Sequence, residues 1–210
     1  MSAYKYLIVG LGNPGEQYSG NRHNIGWMAV EEFLKRHDGK VVPESDIYMA
    51  GEVKYAKKNI LICFPTTYMN GSGVAVKKIA AKYEIRTQDI IVVVDEYNFP
   101  LGKVHLKNTG SDGGHNGMLN VITELGTRDF NRLRLGIDKN FGQGELVDYV
   151  LSNFAEEELP KLAITINKAV DSLECAIRNG VKRAMCVVNS EELWNPKEKK
   201  TQKIPENVTE

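Results

Sequence analysis

The chain has 210 residues, of which 42% are hydrophobic and 26% are charged, so collagen, coiled coil and a wholly disordered chain are excluded. Its 27 Lys and Arg residues balance 27 Asp and Glu residues, which gives a formal net charge of zero at pH 7. Whole-protein attraction to nucleic acid or to a membrane is therefore excluded, and a polyanion could be bound only by a local basic patch.

Apolar periodicity and turn residues predict strands and helices that alternate along the chain. In chain order they are a strand at 6–9, a helix at 25–35, a hairpin at 48–56 and 60–64, a helix at 74–83, strands at 90–94 and 103–107, a helix at 117–125, a strand at 132–137, helices at 145–152 and 156–179, and a third short helix near Arg183. The run at 90–94 is β-branched without alternation, which is typical of a central strand buried on both faces.

These elements predict an α/β fold with a single-domain, mixed, mostly parallel twisted sheet flanked by helices in three layers. The predicted domain covers residues 1–190. Residues 191–210 are rich in Lys, Glu, Pro and Thr and are predicted to form a disordered polar tail.

The segment Gly10-Leu11-Gly12-Asn13-Pro14-Gly15 follows the first strand and matches the GxGxxG pattern of dinucleotide sites. Such a site requires the helix to begin at the glycines, so that its amides face a pyrophosphate. Here helical periodicity resumes only near Ile25. The pattern therefore favours a polar active-site loop, with a tight turn and a dinucleotide site as the alternatives.

A histidine and a carboxylate are predicted to meet at one edge of the sheet. Asp95 ends the buried strand at 90–94, where open α/β sheets place their ligand crevice, and His23 lies in the polar loop before the first helix. A histidine beside a carboxylate forms a general base with the group that orients it. Taken alone, a loop histidine such as His23 is more often a solvated side chain than a catalyst.

Other polar residues lie on loops that should border the same crevice. His115 and Asn116 lie in a glycine-rich segment before a helix, Asn70 and Asn98 follow other elements, and a flexible surface loop is the alternative for the glycine-rich segment. There is no GxSxG, Walker lysine, HExxH or cysteine in a polar loop. The sequence therefore favours hydrolysis by base-activated water, without metal or cofactor.

Basic side chains alternate on two predicted strands, with Lys103 and Lys107 on one and Arg132 and Arg134 on the other. One interpretation of these residues is a solvated sheet face with no binding role. The functional interpretation is a phosphate-binding patch beside the crevice.

Two further sequence patterns predict the cellular compartment of the protein. Cys63, Cys175 and Cys186 form no CxxC pair and have no zinc-ligand spacing, which predicts reduced thiols. No signal-peptide pattern precedes the first strand, and no apolar run approaches the ~18 residues that span a bilayer. We therefore expect a cytoplasmic protein with no membrane partner.

Several motifs occur together in a fixed order over residues 4–190. They are Val9-Gly10-Leu11-Gly12-Asn13-Pro14-Gly15 with Tyr18 and Arg22-His23-Asn24, Pro65-Thr66-Thr67-Tyr68-Met69-Asn70-Gly71-Ser72-Gly73, Asp95-Glu96 with Pro100-Leu101-Gly102, Gly113-Gly114-His115-Asn116-Gly117, and Arg132-Leu133-Arg134-Leu135-Gly136-Ile137. In this order and spacing the chain resembles the bacterial-type peptidyl-tRNA hydrolases.

The resemblance implies hydrolysis of the ester between a peptide and the 3′-terminal ribose of tRNA, which recycles tRNA after ribosomal drop-off. It implies that His23 is the general base and that Asp95 holds its tautomer. Asn13 and Asn70 would position the peptide and stabilise charge on the ester carbonyl, and Asn116 would hold the water or the terminal nucleotide.

The resemblance also implies contacts with substrate and tRNA. Lys107 and Arg134 would clamp the tRNA 5′-phosphate, and His105 lies where relatives often have another basic residue. The further expected substrate or tRNA contacts are Tyr18, Tyr68, Met69 and His115. We expect no cofactor, no metal, no obligate protein partner and a monomer.

Three residues depart from the family pattern. Asn98 replaces a usual acid, Phe99 a usual leucine, and Asp112 a small residue or histidine, so that Asp112 adds negative charge to a loop expected to face RNA. Two rival functions stay open on sequence grounds. One is a non-catalytic RNA-binding relative of the kind that serves organellar intron splicing, and the other is a nucleotide-dependent enzyme.

Overall fold

The computed structural model describes residues 2–196, apart from the side chains of Val42 and Pro43, and these residues contain one seven-stranded sheet. The strands are β1 Tyr6–Gly10, β2 Lys40–Pro43, β3 Tyr48–Tyr55, β4 Lys58–Pro65, β5 Ile90–Glu96, β6 Val104–Lys107 and β7 Asn131–Gly136. Strand β2 was not predicted, because four residues that end in proline carry too short a pattern to distinguish from a loop.

The strand order is β2-β3-β4-β1-β5-β7-β6. The four central strands β4, β1, β5 and β7 pair in parallel, and the pairs β2–β3, β3–β4 and β6–β7 are antiparallel. The sheet is therefore mixed and mostly parallel, as predicted.

Helices cover both faces of the sheet. They are α1 Ile25–Arg36, α2 Ser72–Lys82, α3 Asn116–Leu125, α4 Leu146–Leu151, α5 Leu159–Asn179 and α6 Val181–Asn189. The apolar core on one face includes α1, α4, α5 and α6, and the core on the other includes α2 and α3. The predicted three-layer α/β architecture is confirmed.

Side chains of the central strands alternate between these two cores. Ile8 and Val93 lie in the core beneath α1 and α5, whereas Val9 and Val92 lie in the core beneath α2 and α3. Because both faces are apolar, β5 has a continuous β-branched run instead of a polar alternation.

The strand ends bring the predicted site together. Strands β1 and β5 are parallel neighbours, so the loop after Gly10 and the carboxylates that end β5 both lie at the carboxyl ends of the central strands. Two short 3₁₀ turns, Glu16–Tyr18 and Arg22–Asn24, separate the glycines from α1. The helix therefore does not begin at the glycines, which contradicts the dinucleotide alternative.

Close backbone packing explains a glycine in this region. A Cβ on Gly26 would lie 2.3 Å from the carbonyl oxygen of Val93 and 2.9 Å from that of Leu11. The absence of a side chain at Gly26 therefore lets the first turn of α1 lie directly against β5 and the end of β1.

The described chain continues past the predicted boundary at residue 190, and Leu193 and Trp194 pack against the core on the α5 face. The rest of the predicted tail, 197–210, lies outside the described residues. Among residues 2–196, no helix has the length and hydropathy that crossing a bilayer requires.

Candidate active site

Two histidines share one carboxylate oxygen at the end of β5. Asp95 is 5% exposed, and its Oδ1 lies 2.9 Å from Nδ1 of His23 and 2.9 Å from Nε2 of His115. The two imidazole centroids are 4.7 Å apart. The predicted pairing of His23 with Asp95 is present, and His115 joins it.

The hydrogen bonds fix the tautomers of both rings. The backbone N–H of Met118 donates to Nδ1 of His115 over 3.1 Å, so this nitrogen carries no proton and Nε2 is the nitrogen that donates to Asp95. His23 donates to Asp95 through Nδ1, which leaves its Nε2 with a lone pair. The arrangement is therefore suited to accepting a proton at Nε2 of His23.

Burial and these hydrogen bonds set the pKa values of His23 and Asp95. Burial alone would lower the pKa of His23, but the charge of Asp95 and the hydrogen bond to it outweigh burial and raise the pKa. Burial alone would raise the pKa of Asp95, but the two histidines hold that pKa well below its usual range. Asp95 therefore stays ionised at neutral pH, and His23 is neutral above its raised pKa.

The same three side chains have potential metal-ligating atoms within 4.8 Å of one another. Whether they could bind a metal ion depends on which ring nitrogens have a free lone pair. A metal on Nε2 of His115 would require a lone pair there, while Nδ1 already uses its lone pair to accept from Met118. The ring would then have to lose both of its N–H protons. The donor set therefore fits a hydrogen-bonded carboxylate better than a metal centre.

An arginine anchors the turn that carries His23. Arg22 donates to both carboxylate oxygens of Glu158, over 3.0 and 2.6 Å, and its guanidinium lies 4.6 Å from the ring of Tyr149 and 4.7 Å from that of Phe154. This bidentate pair ties the turn Arg22–Asn24 to the start of α5. Arg22 thus holds the general-base candidate on a rigid support.

Asn13 is held by three hydrogen bonds, two at its backbone and one at its side chain. Asn24 accepts from the backbone N–H of Asn13 over 2.8 Å and donates to its carbonyl oxygen over 2.9 Å. The N–H of Met69 donates to Oδ1 of Asn13 over 2.8 Å, so the Nδ2 amide of Asn13 is the end left to donate. Within residues 2–196 this amide has no acceptor.

Asn24 is a site residue that sequence reasoning missed. It adjoins His23 in the motif Arg22-His23-Asn24, and that adjacency was the available signal. Its function depends on a loop-to-loop contact eleven positions away, which no local pattern records.

The other two predicted asparagines are exposed, and their side chains make no hydrogen bond with described residues. Asn70 lies in the 3₁₀ turn Met69–Gly71, and Asn116 is the first residue of α3. Asn116 and His23 line one open pocket of about 460 Å³, whose apolar lining comes from Leu146, Val147 and Val150.

The predicted peptide and nucleotide contacts differ in exposure. Tyr68 is 60% exposed, and its ring meets that of Tyr18 edge to face with centroids 6.4 Å apart. Met69 is 5% exposed, and its sulfur fills the space beside Gly117. Met69 therefore serves the site through its backbone N–H rather than by presenting its side chain.

Three cations line a second open pocket, of about 430 Å³, which also reaches Asp95 and His115. Lys107 is exposed, Arg134 is ion-paired with Glu96, and Arg132 is 2% exposed. Burial, with Arg134 and Arg128 nearby, lowers the pKa of Arg132 to about 10, which leaves it charged at neutral pH. The predicted basic patch thus lies beside the histidines.

The buried arginine also fixes the glycine-rich loop. Arg132 donates to the carbonyl oxygens of Ser111, over 2.9 Å, and Arg128, over 3.1 Å. Asp112, one of the departures from the family pattern, lines the same pocket and accepts from the N–H of Gly114 over 2.9 Å. Its charge therefore faces the cations and stabilises the turn before His115.

The other departures surround Glu96. Asn98 donates to Oε1 of Glu96 from both its backbone N–H and its side chain, each over 2.9 Å, so an amide fits where a second acid would be repelled. The ring of Phe99 lies 4.9 Å from the guanidinium of Arg134 and 5.0 Å from the ammonium of Lys103. Phe99 thus provides cation–π contacts that leucine would not.

His105 pairs in register with Arg134 across β6 and β7. Burial and the neighbouring Arg134, Lys107 and Lys103 lower the pKa of His105. At neutral pH His105 is therefore uncharged, and it does not replace the additional basic residue of relatives.

The family model for peptidyl-tRNA hydrolase matches residues 7–199. The chain belongs to the peptidyl-tRNA hydrolase family. The peptidyl-tRNA hydrolase of Thermodesulfovibrio yellowstonii is 43% identical over 185 residues, which cover 87% of this chain and 98% of that protein. The peptidyl-tRNA hydrolase of Bacillus cereus is 40% identical over 186 residues, which cover 88% and 99% of the two chains.

Solved structures give the same result. The crystal structure of peptidyl-tRNA hydrolase from Acinetobacter baumannii matches with a TM-score of 0.84 and 29% identity, covering 90% of this chain and 96% of that one. The resemblance inferred from the motifs and the predicted fold class are both confirmed.

Proposed function

We infer that this protein hydrolyses the ester between the peptide and the 3′-terminal ribose of peptidyl-tRNA, releasing peptide and free tRNA. The observation that carries the mechanism is the 2.9 Å contact between Asp95 and Nδ1 of His23, which leaves Nε2 of His23 as a base in an open pocket. Membership of the peptidyl-tRNA hydrolase family supports the substrate.

The proposed chemistry is general-base catalysis. His23 takes a proton from water at Nε2 as the water oxygen bonds to the ester carbonyl carbon, and Asp95 stabilises the imidazolium that forms. The C–O bond to the ribose then breaks, and the imidazolium returns its proton to the ribose oxygen. A positioned base contributes about 10²–10⁴ in rate.

Asparagine amides serve the carbonyl and the water in this proposal. Asn13 donates from Nδ2 to the developing oxyanion, because the N–H of Met69 occupies its Oδ1. Asn70 donates beside it and helps to position the peptide. Asn116, which lines the pocket with His23, holds the water or the terminal nucleotide.

Contacts with tRNA are assigned to the basic patch. Lys107 and Arg134 clamp the 5′-phosphate, with His105 as a neutral neighbour, and the phosphate competes with Glu96 for Arg134. The exposed ring of Tyr68, supported by Tyr18, provides a stacking surface for a base or for the peptide.

All of the proposed catalytic groups come from one chain, which supports a monomer that needs no protein partner. A substrate produced by translating ribosomes supports action in the cytoplasm. Sedimentation of the purified protein at micromolar concentration tests the first of these proposals.

The activity is tested with N-blocked aminoacyl-tRNA, using enzyme previously dialysed against a chelator. We expect release of free tRNA from the blocked form and much slower release from the free-amine form, with no loss of rate after chelation. Binding of tRNA without any hydrolysis would overturn the proposal in favour of a non-catalytic RNA-binding protein.

A further inference from the structure

His115 acts on the same atom of Asp95 as the general-base candidate does. Both histidines lie 2.9 Å from Oδ1 of Asp95, and this carboxylate is almost wholly buried. Two donors on one oxygen divide its negative charge. The hydrogen bond from His115 therefore weakens the interaction of Oδ1 with His23.

The contacts of His115 fix which of its ring nitrogens donates. Its Nδ1 accepts from the N–H of Met118 at the start of α3, so a proton on Nδ1 would face the N–H of Met118. His115 therefore keeps its proton on Nε2, directed at Asp95. Both ring nitrogens are occupied, and a hydrogen bond from this ring to substrate would require one of these contacts to break.

We propose that His115 is a positioning residue that limits the basicity of His23 by sharing Oδ1 of Asp95, and so keeps the general base unprotonated near neutral pH. The proposal rests on the proposed function, in which neutral His23 is the active form. Without the donor from His115, Asp95 would stabilise the imidazolium of His23 more strongly. A larger share of the enzyme would then be protonated and inactive at the same pH.

Other charges near His23 have partners of their own or lie apart from it. Among the groups on the elements around the two histidines, Glu96 is paired with Arg134 and Arg22 is paired with Glu158. The other titratable or charged groups are Tyr97, Tyr149, the exposed Asp148 of α4, and Lys107, Arg132 and Asp112, which line the neighbouring pocket. Within the described residues, His115 is the side chain besides His23 that donates to Asp95.

Two substitutions separate the donor from the helix cap. His115→Asn keeps an oxygen near the position of Nδ1, where it can accept from Met118, but is too short to reach Asp95. His115→Gln keeps an amide near the position of Nε2, where it can donate to Asp95, but loses the cap. The pH dependence of kcat/KM for N-blocked aminoacyl-tRNA is measured for both variants and for wild type.

For His115→Asn we expect the acid limb of the profile to move upward by roughly 0.5–1 pH unit. A hydrogen bond to a charged group is worth about 1–2 pKa units, and only part of its loss at Asp95 is passed on to His23. For His115→Gln we expect the limb to stay near that of wild type. Titration of His23 by NMR should show the same order of pKa values, independently of activity.

An unchanged limb in His115→Asn, or equal shifts in both variants, would overturn the inference. A rise in KM alone in His115→Asn, with the same limb, would also overturn it and would assign His115 to tRNA binding. Failure of the proposed function is distinguishable, because the wild-type enzyme would then release no tRNA at any pH.

Discussion

At the scale of single residues, the orientation of Asn13 depends on Asn24. Asn24 makes both of its side-chain hydrogen bonds to the backbone of Asn13, and both residues are buried. Removing the Asn24 side chain leaves an N–H and a C=O without partners inside the protein. Asn13 then loses a support of the backbone that carries its amide, the group proposed to donate to the ester carbonyl.

We predict that Asn24→Ala lowers the free energy of unfolding by about 2–4 kcal/mol, since each unsatisfied buried group costs about 1–3 kcal/mol. We also predict a fall in kcat of at least about tenfold with unchanged affinity for tRNA. Urea unfolding and single-turnover hydrolysis measure the two effects. The control is Asn59→Ala, which removes an exposed hydrogen bond of 3.3 Å to the carbonyl oxygen of Ala3. It should leave kcat unchanged and the free energy of unfolding within about 0.5 kcal/mol of wild type. An unaffected kcat in Asn24→Ala would contradict the assignment.

The carboxylate at position 95 should govern the pH profile in the direction opposite to His115. Because Asp95 raises the pKa of His23, Asp95→Asn should move the acid limb of kcat/KM to lower pH. It should also reduce kcat by roughly 10²–10⁴, since the imidazolium loses its stabilising charge. A limb that moves to higher pH would contradict this account of the site.

The same raised pKa affects stability. In the folded protein His23 binds its proton more tightly than in the unfolded chain, so this contribution is present below pH ~6.5 and is lost as the pH rises through the folded pKa. Asp95 acts in the opposite sense. Its contribution is present above pH ~3.9 and is lost as the pH falls toward its depressed folded pKa.

At the scale of elements, the site depends on how closely α1 lies against β5. Gly26 is in the first turn of α1, three residues after His23, and has no room for a Cβ against the carbonyl oxygens of Val93 and Leu11. Both clashing atoms belong to the backbone, so they cannot rotate away. Displacement of α1 would carry the turn of His23 with it.

We predict that Gly26→Ala destabilises the protein by about 1–3 kcal/mol, although alanine is the better helix former by about 1 kcal/mol. The residual folded enzyme should show a reduced kcat. The matched control is Gly20→Ala, where a Cβ would meet its nearest neighbour at 3.4 Å, and this variant should stay within about 0.5 kcal/mol of wild type. Chemical unfolding measures the free energy of unfolding of both variants. Equal stabilities would contradict the close packing of α1 against β5 as the reason for glycine at position 26.

Most elements could be predicted because their signal is local. The apolar run of β5 and the helical period of α1 lie within one stretch of chain, and both are confirmed. The link between His115 and Asp95 could not be predicted, since it depends on a ring orientation set by the cap of α3. The roles of Asn24 and Met69 likewise depend on loop contacts across the fold.

At the scale of the whole molecule, neutrality does not prevent RNA binding, because three cations are clustered at one pocket. Lys107, Arg132 and Arg134 meet where β6 and β7 pair, at the edge of the sheet beside the histidines. Glu96 and Asp112 compensate part of this charge. Binding should therefore depend on a few phosphate contacts rather than on a long-range field.

We predict that Lys107→Ala weakens tRNA binding and makes the slope of log affinity against log salt shallower by about one. Lys54→Ala is the matched control, because Lys54 is an exposed lysine on β3, toward the opposite edge of the sheet. It should leave the slope unchanged. Equal slopes for wild type and Lys107→Ala would remove Lys107 from the proposed phosphate clamp.

The central claim is that His23 is the base and that tRNA binding is carried by other residues. Single-turnover hydrolysis of N-blocked aminoacyl-tRNA by His23→Ala, with Kd for tRNA measured on the same preparation, tests it most directly. We predict loss of the rate by at least about 10² with Kd within a few-fold of wild type. Hydrolysis at a near-wild-type rate in this variant would contradict it.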